Sequence, residues 1–144
     1  MKKGYLINPK NQSMTEVDVK DYTDIHKLLD CRVFTSADYM LRRQSLTLNH
    51  RDGFKDCLYI DDEGLLYNDT DEDRNFGFAF GICDPVFGKG LIMGLNYENG
   101  ETTDRPHTPM EKYVDSICYG WSAKKPEPKI EVRSFDNFED LIKG

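Results

Sequence analysis

The segment GLIMGLNYENGETT, residues 90–103, joins an apolar run to a turn signal and a short polar return. The run GLIMGLNY predicts a β-strand, since it is apolar and ends at turn-forming residues. Asn99-Gly100 favours a type I′ turn, because both residues tolerate positive φ. The chain would then return antiparallel through ETT, so the segment predicts a β-hairpin.

Other segments predict further short strands. GYLINP and MTEVDV flank the turn-rich NPKNQS and indicate an opening hairpin, while CRVF and IEVRSF have strand composition. In NFGFAFGIC, residues 75–83, large and small side chains alternate along the strand. We expect the large face, which is Phe76, Phe78, Phe80 and Ile82, to lie on the core. The small face is expected to meet a closely packed helix or a flat ligand.

Two segments carry clear helix signals. In DYTDIHKLL, Asp21 and Asp24 can cap the helix, and Tyr22, Ile25, Leu28 and Leu29 share one face. In TPMEKYVDSICYGW, residues 108–121, the pattern predicts Thr108 as the N-cap and Pro109 as the first helical residue. Gly120 is then expected to end this second helix in a left-handed conformation.

These elements predict one domain of the α+β class. About six or seven short strands and two or three short helices do not alternate strictly, so the sheet should be mainly antiparallel. Residues 1–122 are expected to form a single α+β domain. Residues 123–144, which begin with the proline-containing SAKKPEPK, predict a linker followed by a C-terminal strand and a short helix that pack on the same domain.

The charge balance limits the classes of partner. The chain has 144 residues, and its 19 basic against 26 acidic residues give a net charge of −7. Bulk nucleic acid and anionic membranes both attract basic proteins, so neither is an expected partner. The four cysteines lie far apart, without zinc-binding or redox spacing, and predict reduced core thiols in a cytoplasmic protein.

Three adjacent carboxylates, Asp61-Asp62-Glu63, interrupt the apolar segment CLYIDDEGLLY, residues 57–67. On a strand or turn they would point in different directions, whereas a hard cation needs six or more converging oxygens. The nearby DTDEDRNFGFAF also departs from a calcium loop, because Arg74 stands where that loop requires glycine. A turn between two strands, with Gly64 setting its geometry and the carboxylates in solvent, explains the segment.

The remaining residues suggest a binding site more than a reaction centre. Histidines lack partners at ligand spacing, and Gly88 and Gly90 complete no phosphate-binding motif, so no catalytic residue, metal or cofactor is expected. Arg42-Arg43 begins a basic cluster that could hold a phosphate or carboxylate, or could be a solvated loop balanced by acids. The candidate ligand-binding residues are therefore Arg42 and Arg43, with Tyr39 and Trp121 as stacking aromatics.

Three blocks of the sequence resemble a known family. The blocks are YLINPKNQSMTEVDVKDYTDIHKLLDC, YIDDEGLL and DPVFGKGLIMGLNYENGETTD, between about residue 5 and about residue 104. They resemble domain of unknown function 3846, which occurs mostly in phages, prophages and their bacterial hosts. The insert NDTDEDRNFGFAF and the tail after Thr108 depart from its pattern. The resemblance implies a phage-linked accessory protein in the host cytoplasm and transfers no catalytic residue.

Three functions remain open. The first is a non-enzymatic, phage-linked binding protein that counters host defence by binding a host protein or by sequestering a small nucleotide-like signal. The second is a hydrolase or transferase in which the carboxylates of residues 61–63 converge with His50 or His107. The third is a homo-oligomeric structural protein that assembles through the exposed side of the strand at 76–82, or through Trp121. The lack of catalytic motifs favours the first.

Overall fold

The computed structural model describes residues 1–43, 53–63, 75–81 and 84–122. Within these ranges the chain forms nine strands and three helices. The strands are β1 (Lys2–Asn8), β2 (Ser13–Val19), β3 (Phe34–Ser36), β4 (Phe54–Asp61), β5 (Phe76–Phe80), β6 (Val86–Phe87), β7 (Gly90–Asn96), β8 (Glu101–Thr102) and β9 (Ile117–Ser122). The helices are α1 (Tyr22–Leu29), α2 (Tyr39–Arg43) and α3 (Met110–Ser116). The predicted α+β class is confirmed, while the linker, strand and helix predicted for residues 123–144 lie outside the described ranges.

The strands form two antiparallel sheets. The first sheet has six strands in the order β2-β1-β7-β4-β3, with β8 also paired to β7. The second has three strands in the order β6-β5-β9. The central strand β7 pairs with β1 and β4, so that Met93 lies opposite Gly4 on one side and Cys57 on the other. In the described ranges no helix has both the length and the apolar character needed to cross a bilayer.

The hairpin predicted at residues 90–103 is present, but its turn differs from the prediction. Leu95 pairs with Thr102 across β7 and β8, and residues 97–100 connect the two strands. A type I′ turn requires positive φ at both Asn99 and Gly100. Gly100 has φ 75°, but Asn99 is not among the residues with positive φ, so the predicted type I′ turn is wrong. A wider loop forms because the Gly100 amide donates to the Asn96 carbonyl oxygen at 2.8 Å.

Helix α1 follows its predicted cap. The Asp21 carboxylate accepts hydrogen bonds from two backbone amides of the first turn. Asp24 Oδ2 accepts a hydrogen bond from the backbone amide of Lys20 at 2.7 Å. Ile25 and Leu29 are buried, as their shared face predicts. Tyr22 lines the same groove as Ile25, in agreement with a shared face, but it is 69% exposed. It occupies the first helical position, at the open end of the helix.

The second predicted helix is correct only in its first half. Helix α3 has Pro109 as its N-cap, one residue later than predicted. From Ile117 the chain becomes strand β9, because the β-favouring residues ICYGW pair with β5. Gly120 has φ 113° and lies where the pairing register shifts, so it forms a bulge instead of ending a helix. Cys118, predicted to be a core residue, is exposed.

Each face of the first sheet carries a hydrophobic core. The α1 face has a core of Val19, Ile25, Leu29, Cys57, Leu91 and Met93. The opposite face has a larger core, to which the second sheet, α2 and α3 contribute. Its members are Tyr5, Ile7, Ala37, Met40, Leu41, Leu58, Phe78, Ala79, Phe80, Ile92 and Tyr113.

Strand β5 is buried on both sides. Phe78 and Phe80 are fully buried, and a Cβ added to Gly90 would lie 2.5 Å from Phe78 Cζ, so this part of the large face packs on the first sheet as predicted. Phe76 is half-buried, and Ile82 lies outside the described residues. On the small face, a Cβ added to Gly77 would lie 2.8 Å from the carbonyl oxygen of Val86. Strand β6 pairs with β5 edge to edge, and its Phe87 ring would lie 3.0 Å from that Cβ, so the Phe87 ring covers the small face at Gly77, where a helix or flat ligand was predicted. Burial of Phe78, Ala79 and Phe80 also removes the predicted self-assembly patch on this strand.

Candidate functional site

A groove of about 500 Å³ runs along α1, between that helix, the first sheet and the β7–β8 hairpin. We call it the α1 groove. Its volume lies within the range of about 300 to 1,000 Å³ that is usual for small-molecule sites. The lining residues come from seven elements and their connections: Lys2, Val19, Lys20, Asp21, Tyr22, Ile25, Phe34, Tyr59, Met93, Gly100, Glu101 and Thr102.

The floor of the α1 groove is apolar because of strand alternation. Met93 lies at the centre of the sheet on the α1 face and is 1% exposed. A Cβ added to Gly4 on the adjacent strand would lie 2.6 Å from Met93 Sδ, so glycine makes room for this side chain. Beside Met93, burial raises the pKa of the Cys57 thiol to about 11. That thiol stays protonated at neutral pH and is a packing group, not a nucleophile.

Aromatic side chains form one wall of the α1 groove. The rings of Phe34 and Tyr59 meet edge-to-face, with centroids 5.2 Å apart. The row continues outward through His26, whose ring centroid is 4.8 Å from that of Phe34, to Tyr22 at 6.4 Å from His26. Burial raises the pKa of the Tyr59 phenol, which therefore stays neutral. The wall offers neutral ring surfaces to a ligand.

The mouth of the α1 groove is polar. Strand β8 lies beside β7 where β1 begins, and the Lys3 amide donates to the Asp104 carbonyl oxygen at 2.7 Å. This arrangement brings Lys2 to β8, where its Nζ donates to Thr102 Oγ1 at 2.6 Å. Lys20, next to the helix cap, lines the same mouth. The groove therefore has a buried apolar end at Met93 and an open polar end, where the hydrogen bond fixes Lys2 and Thr102.

A buried carboxylate on the opposite face holds the chain that follows β8. Asp56 is 1% exposed, and its two oxygens accept hydrogen bonds from the amides of His107 and Thr108, at 2.6 and 3.0 Å. The Tyr113 hydroxyl donates to the same carboxylate at 2.5 Å. Burial, and then the Asp56 charge, raise the pKa of the Tyr113 phenol, so it remains a donor. This cluster is structural, since its donors fix the loop and α3 onto β4.

The acidic tripeptide does not form a shared site. Asp61 ends β4 and is buried, with Oδ1 accepting the Glu63 amide at 2.9 Å, while Glu63 pairs with Arg32 at 2.6 and 3.1 Å. The predicted solvent exposure of the carboxylates is thus correct for Asp62, wrong for buried Asp61, and only partly correct for half-buried Glu63. Across the described ranges no group of three acidic, histidine or cysteine residues could hold a metal ion. Gly64 lies outside the described residues, so its predicted role in the turn is untested.

The histidines of the enzyme hypothesis do not join these carboxylates. His107 Nε2 lies 3.2 Å from Thr103 Oγ1, and its ring packs edge-to-face on Phe54 with centroids 5.3 Å apart. His50 lies outside the described residues. His107 therefore contacts Thr103 and Phe54, while Asp61 and Glu63 have other partners.

The candidate ligand-binding residues do not coincide with the α1 groove. Tyr39 is 45% exposed on α2, and Trp121 on β9 packs against the core of the opposite face. Neither is among the described lining residues of the groove. The side chains of Arg42 and Arg43 lie outside the described residues, so the predicted basic cluster is untested. Sequence reasoning missed the groove because strand register, not a local motif, brings its residues together.

Comparison of the chain with models of protein families, with curated proteins and with solved structures found no match. The resemblance to domain of unknown function 3846 therefore depends on the quoted sequence blocks alone. Function must be argued from the geometry of the α1 groove.

Proposed function

We propose that this protein is a non-enzymatic binding protein that holds a small, ring-bearing ligand in the α1 groove. The observation that carries the proposal is the composition of that groove. A floor containing buried Met93, an aromatic wall of Phe34 and Tyr59, and a polar mouth share one groove of about 500 Å³. Small-molecule sites typically combine apolar and aromatic walls with a few placed polar groups.

The ligand class follows from the wall and the mouth. Aromatic side chains stack on planar rings, and a polar mouth accommodates a sugar or a charged group. A nucleotide-like signal has both parts. Sequestration of such a signal suits the phage-linked accessory role that the sequence resemblance implies. A host protein, the other partner expected from the sequence, is less suited to a groove whose volume matches a small molecule.

Several potentially reactive groups support binding over catalysis. The raised pKa of Cys57 keeps its thiol protonated. The Asp56 carboxylate already accepts three hydrogen bonds, and Glu63 is paired with Arg32. The Asp56 and Glu63 carboxylates are therefore committed to contacts within the fold, which supports binding over catalysis.

Filling the mouth of the α1 groove should weaken ligand binding. We expect at least one of the four common ribonucleosides to bind with a Kd of about 0.1 mM, since ligands of this size gain roughly 0.3 kcal/mol per heavy atom. Thr102→Trp should raise that Kd at least about tenfold, because the indole occupies the mouth. Isothermal titration calorimetry measures both values, and circular dichroism checks that the variant is folded.

The control is Val114→Trp, which adds the same side chain at a position that is 48% exposed on α3. Its Kd should equal that of the wild type. The proposal is wrong if none of the four ribonucleosides binds below about 1 mM, or if Thr102→Trp binds as the wild type does.

A further inference from the structure

Lys2 is held in place at the mouth of the α1 groove. Its Nζ donates to Thr102 Oγ1 at 2.6 Å, and the side chain is half-buried. An ammonium group has three N–H donors, so this contact leaves two for another acceptor. Partial burial also strengthens the attraction of this charge for an anion, compared with a fully solvated lysine.

The described contacts of Lys2 and of the acidic residues at the mouth do not join them. Asp21 Oδ1 accepts the amides of Thr23 and Asp24 at 2.9 and 3.3 Å, which commits this carboxylate to the cap of α1. The same contacts occupy the helix amides that could otherwise have bound an anion. Glu101 lines the groove as well, but it is exposed, and strand alternation places its side chain on the other side of the strand from that of Thr102, which holds Lys2. Lys20 also lines the mouth, but the hydrogen bond to Thr102 is what fixes the ammonium group of Lys2 there.

We infer that the α1 groove binds its ligand in one orientation, with a phosphate or carboxylate at Lys2 and a planar ring against Phe34 and Tyr59. This inference depends on the proposed function, and it narrows the ligand class to ring-bearing anions. Nucleoside monophosphates belong to that class.

Because the net charge of the protein is negative, the contribution of Lys2 to anion binding should be larger than that of other lysines. A net charge of −7 repels anions at long range, and Lys2 must overcome that repulsion locally. At an ionic strength of about 0.1 M the Debye length is about 10 Å, so distant acids are screened while a direct contact is not. Loss of Lys2 should therefore matter more than loss of a lysine elsewhere.

The test compares a ribonucleoside with its own 5′-monophosphate by isothermal titration calorimetry at about 0.1 M salt. The monophosphate should bind about tenfold more tightly than the nucleoside, as expected for a charge-assisted hydrogen bond. Lys2→Gln should remove that advantage, so that the monophosphate and the nucleoside bind the variant with similar Kd values. The 5′-carboxylic acid of the same nucleoside, tested in parallel, shows which anion is preferred, and tighter binding of either anion supports the inference.

The matched control is Lys3→Gln. It makes the same charge change one residue away, but Lys3 pairs with Asp18 on the opposite face of the sheet. Its monophosphate Kd should stay within about twofold of the wild-type value, as is usual for a distant surface charge. The inference is overturned if the nucleoside binds as tightly as both anions, or if the two variants behave alike. Failure of the ribonucleosides to bind would instead overturn the proposed function.

Discussion

Replacing Asp56 with alanine is expected to lower the free energy of unfolding by about 3 to 5 kcal/mol. The carboxylate is 1% exposed and accepts hydrogen bonds from the amides of His107 and Thr108 and from the Tyr113 hydroxyl. Alanine removes the acceptor of all three donors, two of which, the Thr108 amide and the Tyr113 hydroxyl, are buried, and each unsatisfied buried donor costs about 1 to 3 kcal/mol. Urea unfolding followed by circular dichroism measures the change.

The control for this substitution is Asp62→Ala. Asp62 carries the same side chain but is exposed at the end of β4. An exposed position of this kind should change the free energy of unfolding by no more than about 0.5 kcal/mol. If Asp56→Ala also stays within that limit, the buried cluster does not stabilise the fold as described.

Gly94→Ala is expected to destabilise the protein by about 3 kcal/mol. A Cβ at this position would collide with Thr103 Oγ1 and with the Arg105 carbonyl oxygen. The loop cannot easily retreat, because the Thr103 amide donates to the Gly94 carbonyl oxygen at 2.9 Å and the Asp56 cluster holds the next residues. The same urea experiment gives the loss, and the midpoint should fall without a change in slope.

Gly100→Ala separates steric collision from backbone strain. Gly100 has φ 75°, but a Cβ there would meet no atom within 4 Å. It should cost about 1 kcal/mol, the usual penalty for an alanine in the left-handed region. If Gly94→Ala and Gly100→Ala lower the free energy of unfolding equally, the close contact between the loop and β7 does not explain the glycine at position 94.

The sequence predicts best those elements whose signals are local. The cap at Asp21 and the spacing of Ile25 and Leu29 are enough to define α1, and the strand before Asn99-Gly100 is where the pattern places it. The helix at residues 108–121 fails in its second half because Ile117 and its neighbours pair with β5, a distant segment of the chain. Tertiary pairing there outweighs the helical spacing of the apolar residues.

The candidate site was less predictable, because it depends on strand register. Lys2, Tyr59 and Met93 meet in one groove only after β1, β7 and β4 pair in the observed order. The Asp56 cluster had one usable signal, since alternation in β4 places this carboxylate on the same face as buried Leu58. A buried acid must find donors, but nothing local in the sequence indicates that they come from residues 107–113.

The location of the ligand can be read from the methionine methyl groups. The protein has five methionines, of which Met93 lines the α1 groove, while Met40 and Met110 belong to the core of the opposite face. Protein labelled with ¹³C-methyl methionine, with Met93 assigned from Met93→Leu, would be titrated with the ribonucleoside 5′-monophosphate that binds most tightly. We expect the Met93 methyl resonance to shift saturably while those of Met40 and Met110 stay in place. Saturable shifts at Met40 or Met110 with Met93 unmoved would contradict a ligand site beside α1.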